Sequence, residues 1–315
     1  MNEQKKITVV VPAYNEEDVI DECYRRVIDV FSNLDYKLEL IFVNDGSCDN
    51  TFSLLNELSS KDENVVVIDL SRNFGKEIAM SAGIDFATGD AAVIIDADLQ
   101  DPPELIVDFV KYWEQGYDNI YGKRIKRDGE SWFKKATANM FYKVLGNLSD
   151  TQIPVNTGDF RLISRQAIDA LKELREQHRF MKGLFSWVGF NTKEVEYNRA
   201  PRFAGDTKWN YWRLWNFALE GITSFSIAPL KIATYVGGFI SSLSFVYAIY
   251  IVVKTFIYGA DVAGYPSQMV ITLLLGGMNL AAIGIIGEYL GRMFNETKNR
   301  PLYLVKKVIN RKKAV

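Results

Sequence analysis

Cysteine and histidine are scarce in this sequence of 315 residues, which contains two cysteines and one histidine. Cys23 and Cys48 show no CxxC spacing, so we expect no disulfide framework and a reducing compartment. The single histidine, His178, cannot build a histidine zinc site or a serine triad. It lies in a charged segment, residues 172–179, which we predict to be a solvated helix.

Two phosphate-binding fingerprints are also missing. No GxGxxG follows the first predicted strand and no GxxxxGK[ST] occurs, so the dinucleotide and P-loop motifs are both absent. The formal net charge is −2, which gives no global indication of nucleic-acid binding. The N-terminal MNEQKK is not followed by the apolar h-region of a signal peptide, and we expect no secretory signal.

Charge is missing from two long segments, residues 232–253 and 262–287. About 20 apolar helical residues cross the ~30 Å hydrocarbon core of a membrane. Buried core helices are the alternative, but soluble helices seldom lack charge on every face. We therefore predict a two-helix transmembrane hairpin over residues 229–295, with both ends of the chain on one side.

A basic segment follows the second predicted span, because residues 298–315 contain lysines and arginines but no acid. The positive-inside rule places this tail (296–315), and with it an N-terminal domain (1–228), on the cytoplasmic side of the plasma (inner) membrane. We also expect the tail to be drawn to anionic lipid headgroups. Gly287 and Gly291 would permit close helix packing, within the hairpin or in a homo-oligomer.

Strands and helices alternate through the first part of the chain. Apolar runs predict buried strands at residues 6–11, 38–43, 65–69, 93–95 and 119–122. Helical spacing predicts helices at residues 18–31, 51–59 and 77–87. Asn15 is the expected N-cap of the first helix. Alternation with short turns predicts a parallel, doubly wound sheet.

Two aspartates one residue apart, Asp96 and Asp98, end the fourth predicted strand. Open α/β sheets bind ligands at the carboxyl ends of their strands. Two carboxylates on one turn suit a Mg²⁺ or Mn²⁺ ion that also holds substrate phosphates. The alternative is an acidic loop that caps the next helix, a role that suits Asp101 and Glu104.

Three motifs carry a resemblance to a known family: VVVPAYNEE, NDGSCDNT and DADLQDPPE, each at a strand end. In this order they resemble glycosyltransferase family 2, the inverting enzymes of the GT-A fold. The stretches NFGKE (residues 73–77) and NTGDFRL (residues 156–162), with the hairpin, are similar to the polyprenyl-phosphate glycosyltransferases of the GtrB type. The resemblance implies an α/β, Rossmann-like GT-A catalytic domain followed by a membrane anchor.

The resemblance also implies a donor site for a nucleotide sugar. The residues expected there are Pro12, Tyr14 and Glu16 around base and ribose, Asp45 on the base edge, and Lys76. Asp98 would bind the metal, Asp96 would share it or bond the ribose, and Gln100 would be a further oxygen ligand. A carboxylate can accept a bond from a base N–H, and an aromatic ring can stack on the base. Core packing of Tyr14 and a purely structural Asp45 are the alternatives.

The acceptor implied by the resemblance is a lipid phosphate, which is already anionic and needs no strong base. The family's candidate base, or orienter of the acceptor, is Asp159; a structural turn aspartate is the alternative. The cations expected to hold the acceptor phosphate are Lys123, Arg124, Arg161, Arg202 and Lys208. Arg202 and Lys208 lie in a loop resembling the family's Arg-x-x-Gly-x-Ser-Lys-Trp, with Thr207 in place of serine. We expect Asp159, Asp98 and Arg202 to be catalytic.

Aromatic residues cluster on the N-terminal side of the first predicted span. Four of them, Trp209, Tyr211, Trp212 and Trp215, precede or begin an amphipathic run over residues 214–227. This pattern predicts a helix at the membrane interface, and core packing is the alternative.

The predicted reaction is inverting transfer of one hexose, glucose from UDP-glucose, to undecaprenyl phosphate. Mannose, N-acetylglucosamine, galactose and aminoarabinose are open alternatives for the sugar. A polysaccharide synthase would carry QxxRW, whereas residues 177–180 are QHRF. An inactive scaffold would have lost its carboxylates, yet Asp45, Asp96 and Asp98 are present. A channel would need charge within the spans, and neither span contains any.

Overall fold

A computed structural model describes residues 4–125, 154, 157–198, 228–258 and 264–310 of the chain. The predictions made for Arg202, Lys208, Thr207 and the aromatic cluster at residues 209–227 lie outside the described residues.

The strands of the described residues form one eight-stranded sheet in the order β7-β5-β6-β4-β1-β2-β3-β8. They are β1 (Lys6–Ala13), β2 (Lys37–Asn44), β3 (Val65–Leu70), β4 (Ala91–Ile94), β5 (Asn119–Arg124), β6 (Thr157–Ser164), β7 (Thr192–Tyr197) and β8 (Val305–Ile309). The centre, β4-β1-β2-β3, is parallel, as predicted. Strands β6 and β8 run antiparallel to their neighbours on either side of this centre.

Helices cover both faces of the sheet. They are α1 (Ile20–Phe31), α2 (Thr51–Lys61), α3 (Lys76–Phe86), α4 (Ile106–Glu114), α5 (Arg165–Glu173), α6 (Met181–Trp187), α7 (Ala228–Tyr258) and α8 (Tyr265–Thr297). Val9 of β1 packs into the core shared with α1, α2 and α4, whereas Val10 packs into the core shared with α3, α5 and α6. Successive strand residues face opposite sides, so the central strands are buried on both faces, as their apolar runs predict.

The start of α1 differs from the prediction. Asn15 is not its N-cap; the helix begins at Ile20 with Val19 in the cap position. Asn15 has a φ of 53° and its Oδ1 accepts a hydrogen bond from Cys48 N at 2.8 Å. Its side chain therefore joins the loop after β1 to the loop after β2 and is not available to cap the helix.

The predicted helix over residues 172–179 is also wrong, because α5 ends at Glu173 and Leu174 is extended. Arg179 is buried and its guanidinium donates to Leu174 O, which turns the chain away from the helix. His178 is half-buried, and its Nε2 lies 3.1 Å from Asn295 Nδ2 of α8.

The basic segment after α8 was expected to be a separate tail, but part of it belongs to the sheet. Residues of β8 pair with β3 in antiparallel register, Ile68 opposite Val308. Lys306 Nζ lies 3.5 Å from the carboxylate of Asp69, and Tyr303 Oη donates to Asp85 at 2.7 Å. Strand pairing thus returns the chain to the N-terminal domain after the apolar helices.

The two C-terminal helices are where the hairpin was predicted, and their side chains are largely exposed. Within the described residues, one segment, Leu274–Thr297, is long and apolar enough to cross a membrane. The apolar segment Ile232–Tyr247 in α7 is shorter. The structure therefore supports one of the two predicted spans by length and composition.

Candidate active site

The antiparallel pairing of β4 with β6 brings two acidic residues together. Ile94 of β4 is opposite Arg161 of β6. Continuing this register by two residues sets Asp96 opposite Asp159, just beyond the carboxyl end of β4. This is the edge at which open α/β sheets bind ligands.

One lysine lies between these two aspartates. Lys76 is the first residue of α3, and its Nζ is 2.7 Å from Asp96 Oδ1 and 2.7 Å from Asp159 Oδ2. We call Asp96, Lys76 and Asp159 the central triad. Because one ammonium serves two carboxylates, the triad keeps a net negative charge that can attract a further cation.

Charge interactions in the triad outweigh the effect of burial. Burial would raise the pKa of Asp159, but the charges of Lys76 and Lys182 hold that pKa well below its usual range. Burial likewise opposes the charge of Lys76, but Asp159 and Asp96 raise the pKa of the lysine well above its usual value. Asp159 and Lys76 are therefore both ionised at neutral pH. Asp159 Oδ1 is buried without a hydrogen-bond partner among the described residues, and it can accept a bond from a bound group.

A second buried acid, Glu77, borders the triad. Its Oε2 accepts a hydrogen bond from Met181 N at 2.9 Å, which ties α3 to the start of α6. Burial, and next the charge of Asp159, raise the pKa of Glu77 to about 7. The sequence reasoning missed this residue, although it stands in the NFGKE stretch beside Lys76.

Asp45 fixes the loop that leads into α3. Its two oxygens accept hydrogen bonds from Phe74 N at 2.7 Å and Gly75 N at 2.9 Å. The residue is 2% exposed, and burial raises its pKa. Asp45 therefore positions the backbone immediately before Lys76, which agrees with the structural alternative. A contact of Asp45 with a base edge stays a prediction.

The loop after β4 presents its predicted metal ligands on one side. Asp96, Asp98 and Gln100 are half-buried, whereas the intervening Ala97 and Leu99 are buried. Leu99 has a φ of 56°, and Gln100 N donates to Asp98 Oδ1 at 3.2 Å, so the turn is tight. Within the described part of the chain, no group of three or more His, Cys, Asp or Glu side chains could hold a metal ion. The carboxylate oxygens of Asp96 and Asp98 and the amide oxygen of Gln100 are donors that suit a hard cation, which would take its remaining ligands from a bound diphosphate.

Arg124 reaches the site edge, where it is held by two buried partners. Its Nη2 lies 3.5 Å from Asp101 Oδ1 and its Nε donates to Tyr197 Oη at 3.2 Å, while Tyr197 Oη donates to Asp101. A Cβ on Gly158 would approach Arg124 Nη2 to 2.7 Å, so a larger residue at this position would displace the guanidinium. The prediction that Asp101 caps a helix is wrong, because its carboxylate is buried against Arg124 and Tyr197. Glu104 does lie in the first turn after Pro102.

Two other predicted phosphate ligands are engaged elsewhere. Arg161 is 4% exposed; its Nη2 donates to Gly158 O at 3.3 Å and its guanidinium lies 3.8 Å from the ring centre of Phe185. Burial lowers the pKa of Arg161 to about 10. Lys123 pairs with Glu194 of β7 at 2.9 Å. Both side chains are thus engaged by neighbouring groups, and direct phosphate binding by either stays a prediction. Arg161 also lowers the pKa of Asp159 through its charge.

The residues predicted around the nucleotide lie at the end of β1. Pro12, Tyr14 and Glu16 are half-buried and alternate with the buried Val11 and Ala13. Asp45 N donates to Ala13 O at 2.9 Å, and Glu16 N donates to Thr51 Oγ1 at 2.8 Å. The loops after β1 and β2 thus form one wall beside the triad, and their contact with a nucleotide stays a prediction.

Comparison with known proteins identifies the family. The family model for glycosyl transferase family 2 matches residues 8–172, and the model for the GtrB C-terminal hairpin matches residues 228–293. The chain belongs to glycosyl transferase family 2. The predicted glycosyltransferase identity and the two-part arrangement of catalytic domain and C-terminal hairpin are therefore confirmed.

Similar proteins extend over almost the whole chain. An uncharacterized glycosyltransferase of Synechocystis sp. is 53% identical, covering 95% of this chain and 94% of that protein. A prophage bactoprenol glucosyl transferase homolog of Escherichia coli is 48% identical, and the match covers 96% of this chain and 99% of that protein. The solved mannosyltransferase of Pyrobaculum calidifontis, in complex with GDP-Man and Mn²⁺, has a TM-score of 0.50 at 17% identity. The match covers 92% of this chain and 88% of that chain. This last likeness shows the common GT-A fold.

Proposed function

We propose that this family 2 glycosyltransferase transfers glucose from UDP-glucose to undecaprenyl phosphate, with inversion at the anomeric carbon. The observation that carries the proposal is the 48% identity to a bactoprenol glucosyl transferase homolog over 96% of this chain. The chain also carries the central triad at the sheet edge, beside the loops that contain the donor motifs.

The central triad orients the acceptor. Lys76 keeps Asp159 ionised, so Asp159 accepts hydrogen bonds but is a weak base, since efficient general bases have a pKa near the working pH. A lipid phosphate is anionic before it reacts and needs no strong base. Lys76 and Arg124 place positive charge beside the position where the acceptor phosphate and the departing diphosphate meet.

A divalent cation is part of the proposal. Asp98, Asp96 and Gln100 would hold it, and when bound it would neutralise the charge that builds on the leaving diphosphate. The oxygen-only donor set fits Mg²⁺ or Mn²⁺. The mannosyltransferase of similar fold was solved with Mn²⁺.

The membrane part of the proposal places the catalytic domain and both ends of the chain in the cytoplasm. The match to the GtrB C-terminal hairpin and the apolar segment Leu274–Thr297 support membrane association. The excess of lysine and arginine after this segment supports the cytoplasmic orientation. The acceptor lipid would then meet the triad from the cytoplasmic leaflet.

The proposal is tested with detergent-purified full-length protein. Separate reactions receive UDP-glucose, UDP-galactose, UDP-N-acetylglucosamine or GDP-mannose with undecaprenyl phosphate and Mn²⁺, and the lipid products are weighed by mass spectrometry. We expect one hexose added from UDP-glucose and no product when the metal is chelated. No lipid product from any donor would overturn the proposal, and a product from a single other donor would correct the sugar.

A further inference from the structure

A cavity of about 270 Å³ lies where the loop before α3 meets the end of α8. Its polar lining residues are Arg72, Gln177, His178, Asn295, Lys298 and Arg300. The volume is just below the ~300 Å³ at which pockets for drug-sized ligands begin, so it suits a small molecule or ion. None of the residues assigned to the donor or acceptor lines this cavity.

Three of the lining residues are cations without an ion-pair partner among the described residues. Among the described residues, no carboxylate lies within ion-pairing distance of Arg72, Lys298 or Arg300, and none lines the cavity. Arg72 donates to Asn73 O at 2.9 Å and stacks on Phe74. Like charges brought together around a cavity repel one another, and a bound anion would relieve this repulsion.

The walls of the cavity are fixed by hydrogen bonds. Gln177 N donates to Glu296 Oε1 at 2.7 Å, and Gln177 Nε2 donates to Arg300 O. His178 and Asn295 bond across the same junction. The acid closest in sequence to Lys298 is thus engaged by a backbone amide, and the positions of the cations are set by the contact between the catalytic domain and α8.

We propose that this cavity binds a soluble phosphate-bearing anion of the size of a diphosphate. Arginine and lysine are the side chains that bind phosphate oxygens, and arginine can do so with two parallel hydrogen bonds. The bound anion would link Arg72, in the loop before α3, to Lys298 and Arg300 after α8. Binding would therefore stabilise the folded protein by mass action.

The position of the cavity favours a soluble anion over a lipid headgroup. Within the segment Leu274–Thr297, Glu288, Arg292 and Glu296 are charged, so the hydrocarbon core would end at Gly287, and Lys298 follows 11 residues later. At 1.5 Å per helical residue this is ~16 Å of helix. The headgroup region of a bilayer adds only about 5–8 Å on each side of the hydrocarbon core. This step rests on the membrane placement proposed above.

The test measures binding of inorganic diphosphate to the full-length protein in neutral detergent by isothermal titration calorimetry. EDTA is present and no sugar donor is added, so the metal-assisted donor site does not contribute. The variants are Arg300→Gln and Lys298→Gln. The matched control is Lys307→Gln, because Lys307 is an exposed lysine of β8 that does not line the cavity. Melting temperatures without ligand confirm that each variant is folded.

We expect saturable binding by the parent, roughly tenfold weaker binding for each cavity variant, and less than about a twofold change for Lys307→Gln. Equal affinity in all variants, or no binding by the parent, would overturn the assignment. A second arm compares nanodiscs of phosphatidylcholine with nanodiscs containing phosphatidylglycerol. If phosphatidylglycerol raises the melting temperature of the parent but not of Arg300→Gln, and the parent does not bind diphosphate, the ligand of the cavity is a lipid headgroup and the proposal of a soluble anion is overturned. Neither result bears on the proposed hexosyl transfer, which is tested separately by the lipid-product assay.

Discussion

Lys76 Nζ lies 2.7 Å from Asp159 Oδ2, although 83 residues separate the two in the sequence. The lysine begins a helix that follows a parallel strand, whereas the aspartate stands near the start of an antiparallel one. The same ammonium contacts Asp96 at the end of β4. Three different elements therefore supply one charge cluster, and its stability depends on all three charges being present.

Lys76→Met should destabilise the protein, because it leaves the carboxylate of Asp159 buried with its nearest cation removed. The side chain of Lys76 is 44% exposed, so water screens the pair. We expect a loss of about 1–3 kcal/mol, below the cost of breaking a fully buried pair. Thermal unfolding in detergent measures it. Asp159→Asn in the Lys76→Met background should recover part of the loss, and Lys61→Met, which removes an exposed i,i+4 pair, should change little. Additive effects of the Lys76 and Asp159 changes would contradict the coupling.

The ionisation of Glu77 should make stability fall as the pH rises from about 4.5 to about 7. Burial raises the pKa of Glu77 in the folded protein to about 7, whereas an ordinary glutamate has a pKa of 4.5. Between these values the unfolded chain releases the proton and the folded chain keeps it, so each step up in pH favours unfolding. Glu77→Gln should make the melting temperature nearly independent of pH across this window. The variant should still fold, because the amide oxygen of glutamine can accept the hydrogen bond from Met181 N. An unchanged slope in the variant would assign the pH dependence to another group.

Asp98→Ala should lower the metal-dependent rate of sugar transfer by more than about a hundredfold, since loss of even an indirect metal contact costs 10–100-fold. The melting temperature without metal should change little, because Asp98 is only half-buried. Asp108→Ala, an exposed aspartate of α4, is the control. Mn²⁺ binding followed by electron paramagnetic resonance supplies a readout apart from activity. Undiminished Mn²⁺ binding by Asp98→Ala would show that Asp98 is not a metal ligand.

Strand β8 should be needed for a stable, soluble catalytic domain. A chain ended after Leu304 loses β8 and exposes the edge of β3, whose residues are all buried in the intact sheet. Exposed apolar edges promote aggregation. We expect a lower melting temperature and aggregation by size-exclusion chromatography, whereas a chain ended after Asn310 keeps β8 and should behave like the parent. Equal behaviour of both truncations would show that β8 contributes nothing to stability.

The native cysteines can report the membrane orientation. Cys48 is exposed, whereas Cys23 is buried and burial raises the pKa of its thiol to about 12, so only Cys48 should react with a membrane-impermeant maleimide. We expect labelling in inverted vesicles and none in right-side-out vesicles. Cys48→Ser should abolish the labelling. Labelling only in right-side-out vesicles would reverse the proposed orientation.

Local sequence patterns were sufficient for the central strands and for the acidic turn after β4. The apolar run at residues 65–69 predicts a strand that is buried on both faces, and the structure shows this strand. A Pro-Pro pair marks the end of the acidic turn. The contacts of Asp159 could not be derived in this way, because they depend on β6 lying antiparallel beside β4. The tail strand VKKVI, Val305–Ile309, was missed because its two lysines indicate solvated chain. Such a strand is tolerated at a sheet edge, where one side remains open to water.

The direct test of the active-site assignment is the initial rate of glucose transfer from UDP-glucose to undecaprenyl phosphate by Asp159→Asn. The matched control is Asp169→Asn, an exposed aspartate of α5 that pairs with Arg165 on the surface. Because Asp159 orients the acceptor in this account, Asp159→Asn should lower kcat by about a hundredfold, the cost of a misplaced reactant, while UDP binding stays within about twofold of the parent. Asp169→Asn should keep the parent rate. Full transfer activity in a folded Asp159→Asn variant would contradict the assignment of the central triad as the active site.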